Sequence, residues 1–167
     1  GQLAVEDELI TTGGGFVRYG YHRHNIGEQA TVERRGDRVV FTQTWRGQTR
    51  VAEHDFGADF AAGPMVVHQA RQHWQRLRDG GSVKIRYAVP DQLRPFAFHL
   101  RVDDRHPEHV AGRVVVRMRA ASFLIRWFID PLYLVMSEDA SVLHSIEGRT
   151  LPVGVVDGDP RPIDADM

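Results

Sequence analysis

The sequence predicts a mainly β fold of the α+β class. A curved antiparallel sheet packs against one main amphipathic helix at about 64–79, in a single domain spanning 1–167. Three observations carry this. Apolar and polar residues alternate with a period of two through most of the chain, the pattern of strands with one packed and one wet face. Short glycine-containing turn signals separate the alternating runs. One stretch alone switches cleanly to helical spacing.

The first half reads as a meander. After Gly13-Gly14-Gly15, residues 16–24 (FVRYGYHRH) set Val17, Tyr19 and Tyr21 on one face and Arg18, His22 and His24 on the other. Asn25-Ile26-Gly27 marks a turn, and 30–35 and 38–45 flank Gly36-Asp37, a short hairpin connection. In the second of these runs Val39, Phe41 and Trp45 share a face, and Gly47 separates it from 48–54. The triple glycine lacks a following helix N-terminus to supply amide donors, so it is a flexible entry and not a phosphate loop.

The alternation breaks at Ala61. Pro64 suits the first turn of a helix, where its missing N–H costs nothing. Val67, Ala70, Trp74 and Leu77 then form one apolar stripe, and Gly80-Gly81 supplies the stop. Strands resume at 82–89, 93–103 and 109–119. Val83, Ile85, Tyr87, Phe96, Phe98, Leu100, Val114, Val116 and Met118 fall on inner faces; Lys84, Arg86, His99, Arg101, Arg113, Arg117 and Arg119 fall on outer ones. Residues 120–129 are apolar nearly all round, which fits a second short helix or a continuous inner strand equally. A hairpin over 132–137 and 141–147 follows, in which Tyr133 and Val135 are assigned to the inner face. One further strand reaches 156, and the termini 1–10 and 157–167 read as loose.

Composition removes several function classes. A formal net charge of −1 is not the footprint of a nucleic-acid binder. Between 84 and 126, however, nine Lys and Arg face four Asp and Glu, so the charge is segregated. No apolar run approaches the ~20 residues of a membrane-spanning helix. The absence of cysteine excludes disulfides, thiolate catalysis and cysteine-held zinc. It fits the cytoplasm as well as the bacterial envelope. Gly1 stands where an initiator methionine would, which implies that residues ahead of it are removed.

Catalytic signatures are absent. His22 and His24 form an H-x-H pair whose side chains point the same way, roughly 6.6 Å apart along the strand. They are the only metal candidates, and no spacing selects a third ligand from His54, His68, His99, His144 or Asp55. No serine occupies a G-x-S-x-G elbow, and most carboxylates sit in turns. The expectation is a protein that is not an enzyme and carries no cofactor. The outer face is the candidate surface for an anionic partner, through Arg101, Arg117 and Arg119, including contact at a membrane surface. It lacks the interleaved aromatics that stack bases, which again excludes nucleic acid. The inner face is the candidate apolar pocket, with Trp74, Tyr87, Phe96, Phe98, Leu100, Met118 and Tyr133 as its lining. A ~14-residue helix is about 21 Å long, too short to cover a wide sheet.

The order of segments also carries a resemblance. W-x-x-L-x-x-G-G (Trp74, Leu77, Gly80, Gly81) is followed by V-K-I-R-Y, R-P-F-A-F, S-F-L-I-R-W at 122–127, P-L-Y-L and I-E-G-R-T at 146–150. Over roughly 16–156 the chain resembles a group of uncharacterised proteobacterial exported proteins whose expected fold is similar to the periplasmic lipoprotein-localisation carriers. The resemblance implies an open β half-barrel with helical cover and a periplasmic location. It further implies a lipid or acyl chain held on the apolar face, with Trp74 and Trp127 near its mouth. No signature of lipoprotein handling accompanies these motifs. The leading expectation is therefore a non-catalytic envelope protein that binds or shields an apolar ligand, the alternatives being a module that docks an anionic partner and an enzyme of unknown class that uses the histidines.

Overall fold

The computed structural model describes residues 5–123 and 130–148, together with the backbone of 153–156 and 159–162. The architecture is mostly β, with two antiparallel sheets, one of them curled into an open half-barrel, and two helices. Five strands form the first sheet in chain order: β1 (Val5–Thr12), β2 (Gly15–Arg23), β3 (Glu28–Arg35), β4 (Arg38–Trp45) and β5 (Gln48–Asp55). The second sheet contains β6 (Phe60–Ala61), β7 (Val83–Val89), β8 (Arg94–Val102), β9 (Arg113–Ala120), β10 (Leu132–Ser137) and β11 (Leu143–Glu147), again in chain order. Strands β12 (Val153–Val156) and β13 (Asp159–Pro162) pair as a ribbon. Helices α1 (Met65–Gln72) and α2 (Trp74–Arg78) lie between β6 and β7. Strand β1 and the ribbon's β13 occupy parts of the two ends that the sequence predicts to be loose.

The chain divides into two compact units. The first comprises 1–65, 87–96 and 151–163; the second comprises 66–86, 97–150 and 164–167. Strands β7 and β8 run through both.

In the first unit the predicted alternation sets the faces. The register aligns Asp7 with Tyr21, Leu9 with Tyr19, Tyr19 with Val32, and Val32 with Phe41. Phe16, Phe56 and Phe60 add an aromatic group with ring centroids 5.2 to 6.3 Å apart. Burial pushes the hydroxyls of Tyr19 and Tyr21 far above the ordinary phenol range. One end of this face is polar. Arg23 and Glu28 are opposite partners at the close of the β2–β3 hairpin and form a 2.6 Å ion pair, both almost fully buried. The Glu28 carboxylate also accepts from Gln43 Nε2 at 2.5 Å and from the Tyr21 hydroxyl at 3.4 Å. Gln43 Oε1 in turn accepts from Nε and Nη2 of Arg50, and Arg50 Nη2 donates to the Asp91 carbonyl at 3.2 Å. A buried ion pair is tolerated when further hydrogen bonds satisfy its groups, and the Glu28 carboxylate has two.

Asp91, in the 3₁₀ turn Pro90–Gln92, lies against this network. Burial raises its carboxyl above the ordinary carboxylate value, with the Arg23 guanidinium pulling it back down and Glu28 pushing it up. A carboxyl whose folded value is raised stabilises the fold below its unfolded value, and that contribution is lost as pH rises through the folded value. Asp91→Asn removes this penalty. The variant is therefore expected to gain stability relative to the parent as pH climbs from about 4 into the neutral range, the ordinary carboxylate range being the lower edge. Urea titrations at pH 4 and pH 7 measure it; an equal difference at both pH values contradicts the assignment.

In the second unit the predicted single helix over 64–79 is two helices. His73, at φ −111° and ψ 21°, leaves the helical region between them. The break lets α1 bury Val66, Val67, Gln69 and Ala70, while α2 buries Leu77. Helical spacing is unchanged across one distorted residue, which is why the sequence reads as continuous. The predicted stop is present in full: the N–H of Gly80 donates to Leu77 O at 3.1 Å and that of Gly81 to Arg76 O at 2.9 Å, with Gly80 at φ +79°. Of the ambiguous 120–129 segment, Ala120 ends β9 and the Ala121 N–H donates to Ala97 O at 2.8 Å; 124–129 lie outside the described residues.

Register corrects one face assignment. Leu132 pairs with Met118, Leu134 with Val116 and Met136 with Val114, so the even residues of β10 join the apolar face. Tyr133 and Val135 stand on the other side, opposite Arg117 and Val115. A one-residue difference in register exchanges every side chain between faces, and the apolar run Leu132–Met136 contains no alternation to fix it.

Candidate anion-binding cleft

The second unit carries a cleft of about 900 Å³ lined by the end of α2, the β8–β9 connection, β9 and the β10–β11 turn. Its walls are built locally. The connection 103–112 is braced by its own backbone: Asp103 N–H donates to Val115 O (2.9 Å), His109 N–H to His106 O (2.9 Å) and Arg113 N–H to Val110 O (2.9 Å). The Val115 N–H donates to His109 Nδ1 at 3.4 Å, so the neutral ring keeps its proton on Nε2. His106 stacks on Tyr133 with centroids 4.5 Å apart and places Nε2 3.6 Å from a Glu147 carboxylate oxygen. The connection thus engages both backbone groups of Val115, a residue on the outer face of β9 that is fully buried.

The β10–β11 turn forms another wall. Ser137 Oγ, Ser141 Oγ and Ser141 N–H all donate to Asp139 Oδ1, at 2.6, 2.8 and 3.1 Å. These donors hold the exposed carboxyl down at about 2. The turn is fastened to the helices by Arg71, which donates to Ala140 O (2.8 Å) and Ser141 O (3.0 Å), and by Trp74 Nε1, which donates to Glu138 O (2.9 Å).

Charge decides what the cleft can do. Five arginines and one histidine line it against three carboxylates. Arg101 and Arg117 stand directly opposite each other on β8 and β9, an unfavourable like-charge pair. Asp103 relieves it by taking Arg117 at 3.0 Å, and Glu108 takes Arg113 at 2.6 Å. The guanidinium groups of Arg78, Arg101 and Arg105 are left without an ion-pair partner among the described residues. A concave surface with uncompensated guanidiniums attracts and orients anions.

No family model, curated protein or solved structure matches this chain.

The residues predicted from sequence fall as follows. Arg101 and Arg117 line the cleft, Arg117 committed to Asp103. Arg119 is exposed opposite His99, away from the lining. Of the apolar candidates, Phe98, Leu100 and Met118 are buried in the second unit at 2%, 0% and 5% exposure, so their side chains already have protein neighbours. Trp74 is half-buried and its indole serves the turn instead of the sheet face. Tyr133 stands on the opposite face, as above. Tyr87 and Phe96 belong to the first unit: the Tyr87 hydroxyl, pushed up to about 12 by burial, donates to Gly63 O at 3.4 Å, and Arg94 lies 4.9 Å over the Phe96 ring. Trp127 lies outside the described residues. His22 and His24 do come together, with ring centroids 3.9 Å apart and His24 Nε2 3.5 Å from Glu6. Among the described residues no group of three His, Cys, Asp or Glu is placed to hold a metal ion.

Sequence reasoning missed Arg78, Arg105, His109 and Glu138, because they lie at a helix end, in a connection and in a turn, where no periodicity assigns a direction. It also missed the Arg23–Glu28–Gln43 network. Parity offered a signal there, since Arg23 shares a face with Tyr19 and Tyr21.

Proposed function

We propose that this protein is a non-catalytic binding module that receives an anionic ligand in the cleft of its second unit. The observation that carries the reading is the set of three guanidiniums, of Arg78, Arg101 and Arg105, facing one cleft without an ion-pair partner among the described residues. The braced connection and the fastened turn support it, because walls fixed in advance lower the cost of ordering on binding. Isothermal titration with citrate, inorganic phosphate and phosphatidylglycerol vesicles tests it. Arg101→Glu is expected to weaken binding about 30-fold or more, the size of one lost charge-assisted contact. Arg101 is exposed, so the melting temperature should hold. Affinity that survives the reversal sinks the reading.

A second reading follows the leading expectation from sequence, an envelope protein that holds a lipid or acyl chain. The curl of one sheet into an open half-barrel supports it, as does the resemblance to the lipoprotein-localisation carriers with the periplasmic location it implies. Against it stand Ile85, Phe98, Leu100 and Met118, all 5% exposed or less because the protein's own atoms cover them. A fluorescent fatty-acid arm in the same titration separates the two readings, since only the second predicts uptake that Arg101→Glu leaves intact.

A further inference from the structure

We infer that the cleft takes a carboxylate-bearing small molecule, and that Glu138 holds the place of that carboxylate until the ligand displaces it. This rests on the cleft reading above. The Gly112 N–H, between the lining residues Ala111 and Arg113, donates to Glu138 Oε1 at 3.2 Å. A carboxylate already sits where a backbone donor and an arginine-rich lining meet. That carboxylate belongs to the turn, and its backbone is anchored through the Trp74 indole on the Glu138 carbonyl. The side chain is therefore the movable part, and it is exposed, so swinging it into water costs little.

Gly112 adds an independent observation. It has φ +83°, and a Cβ placed there would meet nothing within 4 Å, so the side of its Cα that a side chain would take is open. A ligand carboxylate can accept the Gly112 N–H there while its other oxygens meet the guanidiniums of Arg78, Arg101 and Arg105, whose forks match carboxylate geometry. Glu138 and Asp104, the lining carboxylates outside the Arg117–Asp103 pair, leave the three guanidiniums of Arg78, Arg101 and Arg105 in excess by one charge. A cleft of about 900 Å³ suits a small di- or tricarboxylate. Binding moves Glu138 off Gly112, and its negative charge opposes the ligand throughout.

Calorimetric titration of citrate into the full chain, its Glu138→Gln variant and its Arg101→Ala variant tests this, with inorganic phosphate as the parallel arm. Glutamine keeps an oxygen for the Gly112 N–H and removes the competing charge. The Glu138→Gln variant is expected to bind citrate about fivefold tighter, the size of one exposed charge–charge contact, while Arg101→Ala binds at least tenfold weaker. Citrate binding that Glu138→Gln leaves equal or weaker overturns the competitor role and leaves the cleft reading standing. Tightening for phosphate but not for citrate overturns the carboxylate. No binding of either anion to any form, with the circular dichroism unchanged, overturns both the inference and the reading beneath it.

Discussion

Glu28→Ala is expected to destabilise the protein by about 3–5 kcal/mol, measured by urea unfolding at neutral pH. The Arg23 guanidinium is nine-tenths buried and its ion-pair partner is the Glu28 carboxylate at 2.6 Å. Removing that carboxylate takes a 2.6 Å ion pair from a buried cation, and it also frees the Gln43 amide and the Tyr21 hydroxyl that the same oxygens accept. Each orphaned donor adds about 1–3 kcal/mol of unrecovered desolvation, although the terms overlap and do not sum. The double replacement Arg23→Met with Glu28→Leu should cost far less than Glu28→Ala alone. Deleting both charges removes the desolvation cost together with the attraction. A single variant as mild as the double would show that water reaches Arg23 and that the pair is not buried in solution.

Gly63→Ala is expected to be similarly damaging, about 2–4 kcal/mol, from overpacking combined with a strained backbone. Gly63 sits at φ +50°, and a Cβ built there would fall against the edge of the Tyr19 ring, 2.7 Å from Cδ2 and Cζ. Tyr19 is 3% exposed, so the ring has nowhere to retreat. The Gly63 carbonyl also accepts from the Tyr87 hydroxyl, so a shift of the backbone to relieve the clash disturbs that contact as well. At about 2–4 °C per kcal/mol for a chain of this size, the melting temperature should fall by about 10 °C. The companion variant Gly36→Ala has positive φ but open space at its Cβ, so it isolates the backbone share and should cost only about 1 kcal/mol. Equal losses at the two sites would mean that the Tyr19 contact contributes nothing.

Both predictions concern positions whose importance the sequence shows only in part. Arg23 occupies the apolar parity of β2, and parity alone says that its charge must be met inside. It does not say by what, because Glu28, Gln43 and Arg50 are gathered by pairing across three further strands. Gly63 reads as an ordinary loop glycine beside Pro64 until the Tyr19 ring is placed against it.

The cleft divides the same way. Alternation placed Arg101 and Arg117 on one outer face, and the β8–β9 register sets them directly opposite. Only the tertiary structure sorted them, by bringing Asp103 onto Arg117 and leaving Arg101 uncommitted. Trp74 illustrates the converse: its helical stripe position predicts packing against a sheet, yet its indole N–H is spent on a turn carbonyl 64 residues away.

What the sequence by itself determined is the class of fold: alternating strands, one helical segment with its glycine stop, the hairpin turns, and the sign of each strand face. These depend on interactions within a few residues, where a period of two or of 3.6 maps directly onto direction. What only the tertiary structure decided is the break at His73, the face of Tyr133, the buried Arg23–Glu28 network, and which arginines stay free in the cleft. Each of those depends on register or on partners distant in sequence, and local periodicity carries no information about either.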